Sequence, residues 1–270
     1  MIASMYKRRE KVACIVFLSI VLLGGGFIVI TKPDSAKQWM ESVLVLAPAL
    51  LMLGMAVASR RNYNKVKDAE IPESKADIVG LNHIVIKKDA AWLPRLLVFE
   101  KTGSFIGTVH LKQLPWWAYP VILYKSSSIT FFPIEMVFTS SKGDVVFSCI
   151  RKGFKQSVVE IFGPGGKPAG SYIQEEFKSI VNIKGELRDN EGATLLKVKS
   201  SGFTGDFTLY DGEGRLWAHF YSGRFPHEYT TIFRDVYNDM VEMSDRLSEQ
   251  HKILLLGMVA YMFLNRNSGE

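Results

Sequence analysis

The sequence has few of the residues that build disulfide frameworks or metal sites. It contains two cysteines in 270 residues, Cys14 in an apolar run and Cys149 in a strand-like run, and neither belongs to a CxxC or CxxH motif. This pattern indicates neither a disulfide framework nor a zinc site. There is also no Asn-x-Ser/Thr sequon, an absence that suits a cytoplasmic domain.

Motifs of known catalytic chemistry are missing as well. No HExxH pattern or paired carboxylate links the five histidines, and no nucleophile elbow occurs; the histidines are His83, His110, His219, His227 and His251. The run FGPGGKP (162–168) lacks the GxxxxGK[ST] spacing, so we predict a hairpin turn there and not a phosphate loop. We therefore expect a protein that is not an enzyme and that holds no cofactor.

Two acidic turns raise the alternative of a calcium site. Asp189-Asn190-Glu191 and the DGEG run at 211–214 are both rich in carboxylates. Neither fits the twelve-residue calcium loop DxDxDGx₅E. We interpret both as ordinary turn acids and expect no metal.

Most of the chain has no excess of basic charge. Residues 1–67 hold 10 Lys/Arg against 3 Asp/Glu, which gives +7, whereas the remaining residues hold 23 against 24, which gives −1. Nucleic-acid binders concentrate basic charge on the domain that touches phosphate. We therefore expect no nucleic acid among the partners.

Two long apolar runs precede residue 60. They cover about 12–31 and 42–59, and each is long enough to cross a bilayer as a helix. We predict two transmembrane helices, with Gly24-Gly25-Gly26 allowing close packing and Pro48 kinking the second. A cleaved signal peptide is the alternative for the first run, but its apolar stretch is longer than a usual h-region.

Lys and Arg in the short flanks predict the orientation of these spans. Each outer flank carries four basic residues, whereas the loop around 33–38 is nearly neutral; the flanking residues are Lys7, Arg8, Arg9, Lys11, Arg60, Arg61, Lys65 and Lys67. We expect a multi-pass protein of the cell membrane with the N-terminus and the C-terminal domain cytoplasmic. The predicted organisation is an anchor (1–61), a linker (62–77) and a globular domain (78–266).

The globular domain has the pattern of an all-β fold. Short β-rich runs alternate with glycine turns, and they predict about twelve strands, at 81–87, 95–100, 104–110, 129–139, 144–150, 157–162, 171–177, 181–188, 193–199, 206–210, 215–221 and 228–233. Turn glycines recur every 22–26 residues from Gly143. This spacing predicts an up-and-down antiparallel meander that closes into a barrel or folds as a sandwich.

The end of the chain breaks the strand pattern. Residues 248–264, SEQHKILLLGMVAYMFL, predict a helix with Ser248 as its N-cap. Its uncharged stretch is short for a bilayer span and apolar almost all round, as is typical of a helix buried in a core. A third transmembrane span is the alternative.

A meander of about twelve strands followed by one apolar helix resembles the tubby C-terminal-like superfamily, which includes LURP-one-related proteins and phospholipid scramblases. The resemblance covers about 157–264 and depends most on ELRDNEGATLLKV (186–198), FTLYDGEGRLWAHF (207–220) and the terminal helix. It implies a mainly β protein: a closed antiparallel barrel around a central C-terminal helix. It also implies lipid binding, although no phosphoinositide-binding motif is matched here.

Membrane contact is expected at two places. Arg60, Arg61, Lys65 and Lys67 follow the second span, and Trp116 and Trp117 lie in LPWWAYPVILY (114–124). Basic residues near a span attract anionic lipid, and tryptophan favours the headgroup region. The alternatives are a purely topological role for the basic residues and a buried strand and turn at 114–124.

These observations lead to two hypotheses about function. The first is a non-enzymatic, membrane-anchored tubby-like domain that binds or senses membrane phospholipid at the cytoplasmic surface. The second is an interaction module or regulatory subunit whose partner is a membrane protein. Lipid binding predicts an exposed basic or aromatic face near the membrane, whereas a subunit of a complex predicts an exposed apolar patch.

Overall fold

A computed structural model describes residues 1–89, 93–114, 118, 132–153, 156–175, 183–200, 206–226 and 228–265. The chain divides into two compact units, Met1–Glu70 and Ile71–Glu270. The first unit is helical. The second is a β-sheet that encloses one helix.

The helical unit contains α1 (Ile2–Thr31), α2 (Ala36–Leu44) and α3 (Ala47–Val66). Helices α1 and α3 pack against each other. A Cβ placed on Gly24 would lie 2.5 Å from Leu46 Cδ2, so any larger residue here would force the Leu46 side chain to move. Close packing is thus confirmed at Gly24, whereas Gly25 and Gly26 have no neighbouring atom within 4 Å of a Cβ.

Two segments of this unit, Ile2–Thr31 and Ala36–Val66, are long and apolar enough to cross a membrane. The second is broken between α2 and α3, at Val45 and Leu46. Pro48 causes this break because it has no N–H to donate and its ring would clash with the carbonyl of Leu44. The predicted kink is confirmed. Helix α1 begins before the predicted span and carries the basic residues that precede it.

The second unit is built on an antiparallel sheet. The part of this unit that the structure describes contains β1 (His83–Asp89), β2 (Arg95–Glu100), β3 (Phe105–Gln113), β4 (Ile134–Ser140), β5 (Val145–Lys152), β6 (Gln156–Phe162), β7 (Pro168–Glu175), β8 (Ile183–Asp189), β9 (Thr194–Ser200), β10 (Phe207–Tyr210), β11 (Leu216–Gly223) and β12 (Asn238–Met243). Along the sheet the order is β10, β11, β12 and then β1 to β9. Strands β9 and β10 meet at a bridge between Leu196 and Asp211. The predicted antiparallel barrel is confirmed, and it is nearly closed.

The prediction of the last strand, at 228–233, is wrong. Residues 228–233 do not form a strand, and the twelfth strand is β12, ten residues further on. Phe233 is buried instead in a connection that packs against the outside of the sheet, with its ring centroid 5.5 Å from Phe99 and 4.9 Å from Phe225. The β12 sequence, NDMVEM, is rich in residues that strands disfavour. It is a strand because it pairs with both β1 and β11.

Five hairpins share one turn. In each, the N–H of a glycine donates to the carbonyl three residues earlier, and that glycine has a φ between 76° and 93°; the glycines are Gly103, Gly143, Gly166, Gly192 and Gly214. Positive φ is accessible to glycine at little cost. The run FGPGGKP is one of these hairpins, as predicted. The Asp189 and Asp211 carboxylates accept hydrogen bonds from turn N–H groups.

The terminal helix, α4 (Glu249–Asn265), lies inside the barrel. Ser248 caps it by accepting a hydrogen bond from the His251 N–H at 3.2 Å, as predicted. Every residue from Lys252 to Leu264 is buried, and the position of Gly257 leaves no room for a side chain. A Cβ on Gly257 would lie 2.8 Å from Ile161 Cγ2 and 3.1 Å from Cys149 Sγ. The helix therefore fills the barrel and does not form a third membrane span.

Two cations lie near the C-terminal end of α4, Lys88, which is partly buried, and Arg151. Lys88 Nζ donates to the carbonyl of Leu264 at 3.4 Å. The Arg151 side chain is fully buried, and its Nη1 and Nε donate to the Phe132 carbonyl and to Ser157 Oγ at 2.9 and 3.0 Å. Tyr261 of the helix donates to the same Ser157 oxygen. Cations are favourable at this end because the helix dipole is negative there.

Candidate functional site

The four predicted basic contact residues lie at the C-terminal end of α3. Arg60, Arg61 and Lys65 are on the helix, Lys67 caps it, and all four are exposed. Because 3.6 residues make one turn, Arg61 and Lys65 share one face of the helix, while Arg60 and Lys67 share another. The structure thus divides the four residues into two pairs.

An open groove of about 570 Å³ runs along the Arg61 and Lys65 face of α3. Its floor opens at Gly54, where no atom lies within 4 Å of a Cβ. Apolar residues line one part of the groove and polar residues the other: Leu50, Leu53, Gly54, Val57 and Ala58, then Arg61, Asn62 and Lys65. The groove therefore passes from an apolar helix surface to two cations.

The two pairs differ in their acidic neighbours. Arg60 Nε lies 4.0 Å from Glu10 Oε1, and Lys67 Nζ lies 4.0 Å from Asp68 Oδ2. In the portion of the chain that the structure describes, Arg61 and Lys65 make no ion pair. The charge on the groove face is thus not neutralised by any acidic residue that the structure describes.

The predicted aromatic contacts cannot be placed beside these residues. Trp116 and Trp117 lie outside the described residues, as does most of the 114–124 segment. Their membrane contact stays a prediction.

A second candidate site lies on the outer face of the barrel. It is a cleft of about 240 Å³ between β1, β11 and β12, the β2–β3 turn and the connection that follows β11. Its polar lining side chains are His83, Lys101, Tyr221, Tyr229 and Glu242, and its apolar ones include Phe225 and Met240. Sites for drug-sized ligands usually measure about 300–1,000 Å³, so this cleft suits a smaller group.

Glu242 is the centre of the polar wall of this cleft. Its Oε1 accepts a hydrogen bond from Tyr221 Oη at 2.9 Å and lies 3.4 Å from His83 Nδ1. The Glu242 side chain is 39 % exposed, so a ligand can reach it. Burial raises the pKa of Tyr221 to about 12, and the hydrogen bond to Glu242 and its negative charge add to the increase.

We expect Glu242→Gln to lower the pKa of Tyr221 from about 12. The substitution keeps a hydrogen-bond acceptor but removes the carboxylate charge that disfavours the phenolate. The tyrosine pKa should stay above its ordinary value of 10.0, because burial is the largest cause of the increase. NMR of ¹³Cζ-labelled tyrosine measures this, with Tyr221→Phe to assign the resonance. Glu160→Gln, on β6, is the control and should leave Tyr221 unchanged.

Other reactive groups show no sign of chemistry. Cys149 is fully buried, and burial raises the pKa of its thiol, so the reactive thiolate is disfavoured. Among the residues that the structure describes, no three His, Cys, Asp or Glu side chains are grouped to hold a metal ion.

No motif in the sequence indicated the cleft. His83, Lys101, Tyr221 and Glu242 come from four separate elements and form no motif. The one usable clue was the partial alternation of β11 and β12, which places Tyr221 and Glu242 on outward positions. The neighbouring wall comes from residues after β11, where a strand was wrongly predicted.

Fold and sites together define a class of protein: a nearly closed antiparallel barrel filled by its own C-terminal helix, preceded by helices long enough to span a membrane. No protein-family model, curated protein or solved structure matches this chain.

Proposed function

We propose that this protein is a membrane-anchored, non-enzymatic domain that binds or senses anionic phospholipid at the cytoplasmic membrane surface. The observation that carries the proposal is the groove on α3. It joins an apolar helix surface to Arg61 and Lys65, two cations without an acidic neighbour in the described chain. The apolar part of the groove suits a lipid acyl chain, and the two cations suit an anionic headgroup.

The resemblance to the tubby C-terminal-like superfamily supports the same proposal. That resemblance implies an antiparallel barrel filled by a helix. The superfamily also includes lipid-binding domains. The barrel carries no excess of basic charge, so in this proposal the lipid contact lies at the basic end of the anchor.

The proposed orientation places both termini in the cytoplasm and the loop between α1 and α2 outside. A cysteine introduced at Ser35 should then react with an impermeant maleimide added to intact cells. A cysteine at Lys142, in the exposed β4–β5 turn, should react only after the cells are permeabilised. The parent chain, with Cys14 and Cys149 alone, is the control. Labelling of the Lys142 position in intact cells would contradict the orientation.

Lipid binding predicts different effects for the two basic pairs. Each cation near a membrane contributes about 1 kcal/mol of attraction to an anionic leaflet. Arg61→Gln/Lys65→Gln should therefore weaken binding of a fluorescent phosphatidylglycerol by about 2 kcal/mol, or roughly 30-fold. Arg60→Gln/Lys67→Gln removes the same net charge from the other face, where each cation already has an acidic neighbour and does not line the groove, and it should cost less. Fluorescence titration of the full chain in nanodiscs measures both.

The matched pairs separate a groove from diffuse attraction. Equal losses of lipid affinity in both double variants would show that only net charge matters and that the groove does not bind lipid specifically. If the wild-type chain binds no anionic lipid at all, the lipid proposal fails. The alternative is then an interaction module, since the open surface at Gly54 also fits the helix of a membrane protein partner.

A further inference from the structure

The outer cleft of the barrel contains opposite charges that do not neutralise each other. Glu242 contributes a carboxylate and Lys101 contributes an ammonium group. Lys101 Nζ lies 3.8 Å from the centre of the Tyr229 ring, and it makes no ion pair within the described residues. The cleft therefore presents one cation and one anion, each with capacity for a further partner.

The geometry of Glu242 leaves one of its oxygens open. Both Tyr221 and His83 approach Oε1, and the described part of the chain supplies no partner to Oε2. A carboxylate held by a tyrosine hydroxyl on one oxygen is oriented, so its second oxygen is positioned to accept from a ligand. The rings of Tyr221, Phe225 and Tyr229 line the same cleft, and aromatic faces attract organic cations.

These features decide which small ligand fits. A simple anion would meet the Glu242 carboxylate, and a simple cation would meet the Lys101 ammonium group. A molecule with both charges satisfies each residue. Lysine is a common partner of phosphate groups, which it binds as a compact point charge.

We propose that the cleft binds a small zwitterion with an ammonium group and a phosphate group, of the phosphoethanolamine class. The ammonium group pairs with Glu242 Oε2, and the phosphate pairs with Lys101. The same chemistry occurs in a phospholipid headgroup and in free phosphoethanolamine. A lipid source rests on the proposed function, whereas the site itself does not.

Binding of O-phosphoethanolamine to the full chain tests the site. The chain is held in an uncharged maltoside detergent, and dissociation constants are measured by ligand-observed NMR. Glu242→Gln and Lys101→Gln should each weaken binding roughly five- to tenfold, since each removes one charged partner. Ethanolamine alone and inorganic phosphate alone should bind no better than O-phosphoethanolamine binds to these variants.

Lys142→Gln is the matched control for Lys101→Gln, because both lysines lie in glycine hairpins and only Lys101 lines the cleft. It should leave binding unchanged. An unchanged thermal midpoint in all three variants shows that they fold. The proposal is overturned if O-phosphoethanolamine does not bind saturably, or if Glu242→Gln binds it as well as the wild-type chain does.

A last arm identifies the source of the ligand. Nanodiscs that contain phosphatidylethanolamine are compared with nanodiscs of phosphatidylglycerol alone. Displacement of bound O-phosphoethanolamine by the first assigns the site to a lipid headgroup, and no displacement assigns it to the free zwitterion. Both results support the site. Failure of lipid binding at Arg61 and Lys65 leaves it intact, so the two proposals fail separately.

Discussion

A β domain that ends at Ser248 should not fold. Such a chain lacks α4, whose ten large apolar side chains are buried in the barrel from Ile253 to Leu264. Each contributes about 1.5–3 kcal/mol on burial, so their sum of about 15–30 kcal/mol equals or exceeds the roughly 5–15 kcal/mol that stabilises a typical domain. The barrel would also be left with an apolar interior that water must fill.

Circular dichroism of the fragment from Asp68 onward measures this effect. The parent fragment should be soluble and should unfold in one cooperative transition, since residues 71–270 form a compact unit of their own. A fragment that ends at Asn265 is the control and should behave like the parent. A cooperative transition in the fragment that ends at Ser248 would show that the barrel does not need its helix.

Gly257→Asp should abolish folding as completely as truncation does. A side chain at this position meets Ile161 at 2.8 Å and Cys149 at 3.1 Å, so even Gly257→Ala forces the core apart at a cost of about 1–3 kcal/mol. Aspartate adds a carboxylate without a partner in an apolar interior, which costs several kcal/mol more. Val259→Asp, at another fully buried position, should have a similar result.

Gly212→Asp is the control for the added carboxylate. Gly212 lies in the β10–β11 turn, and no atom lies within 4 Å of a Cβ there. Its thermal midpoint should change little, whereas Gly257→Asp should show no cooperative transition. A midpoint within a few degrees of the parent for Gly257→Asp would mean that the helix is not held in the interior.

Much of this architecture could be predicted because the relevant forces are local. The five hairpins follow from a glycine with positive φ at one position of each turn, and the apolar helix follows from its capped, uncharged sequence. The break before Pro48 is equally local, since one proline ring excludes the carbonyl of Leu44. The position of the basic residues beyond the apolar segment also needed no tertiary information.

The last strand shows where local reasoning fails. EYTTIF at 228–233 has the composition of a strand. It forms a connection instead, in which Phe233 packs on Phe99 and buries apolar surface on the outer face of β2. NDMVEM has the composition of a loop, but it fills the gap between β1 and β11. Strand pairing satisfies its backbone groups, and that gain exceeds its weak intrinsic preference.

The sequence by itself therefore determined the elements: two apolar helical segments with basic flanks, a series of glycine hairpins and a helix too apolar for any surface. Only the tertiary structure decided which side chains meet. It placed Glu10 of α1 beside Arg60, and it placed Glu242, Tyr221, His83 and Lys101 around one cleft. The physical reason is the distance along the chain over which each kind of interaction acts. Turn and helix preferences act over a few residues, whereas a site assembled from distant strands depends on barrel register and on which segment covers the barrel's outer face.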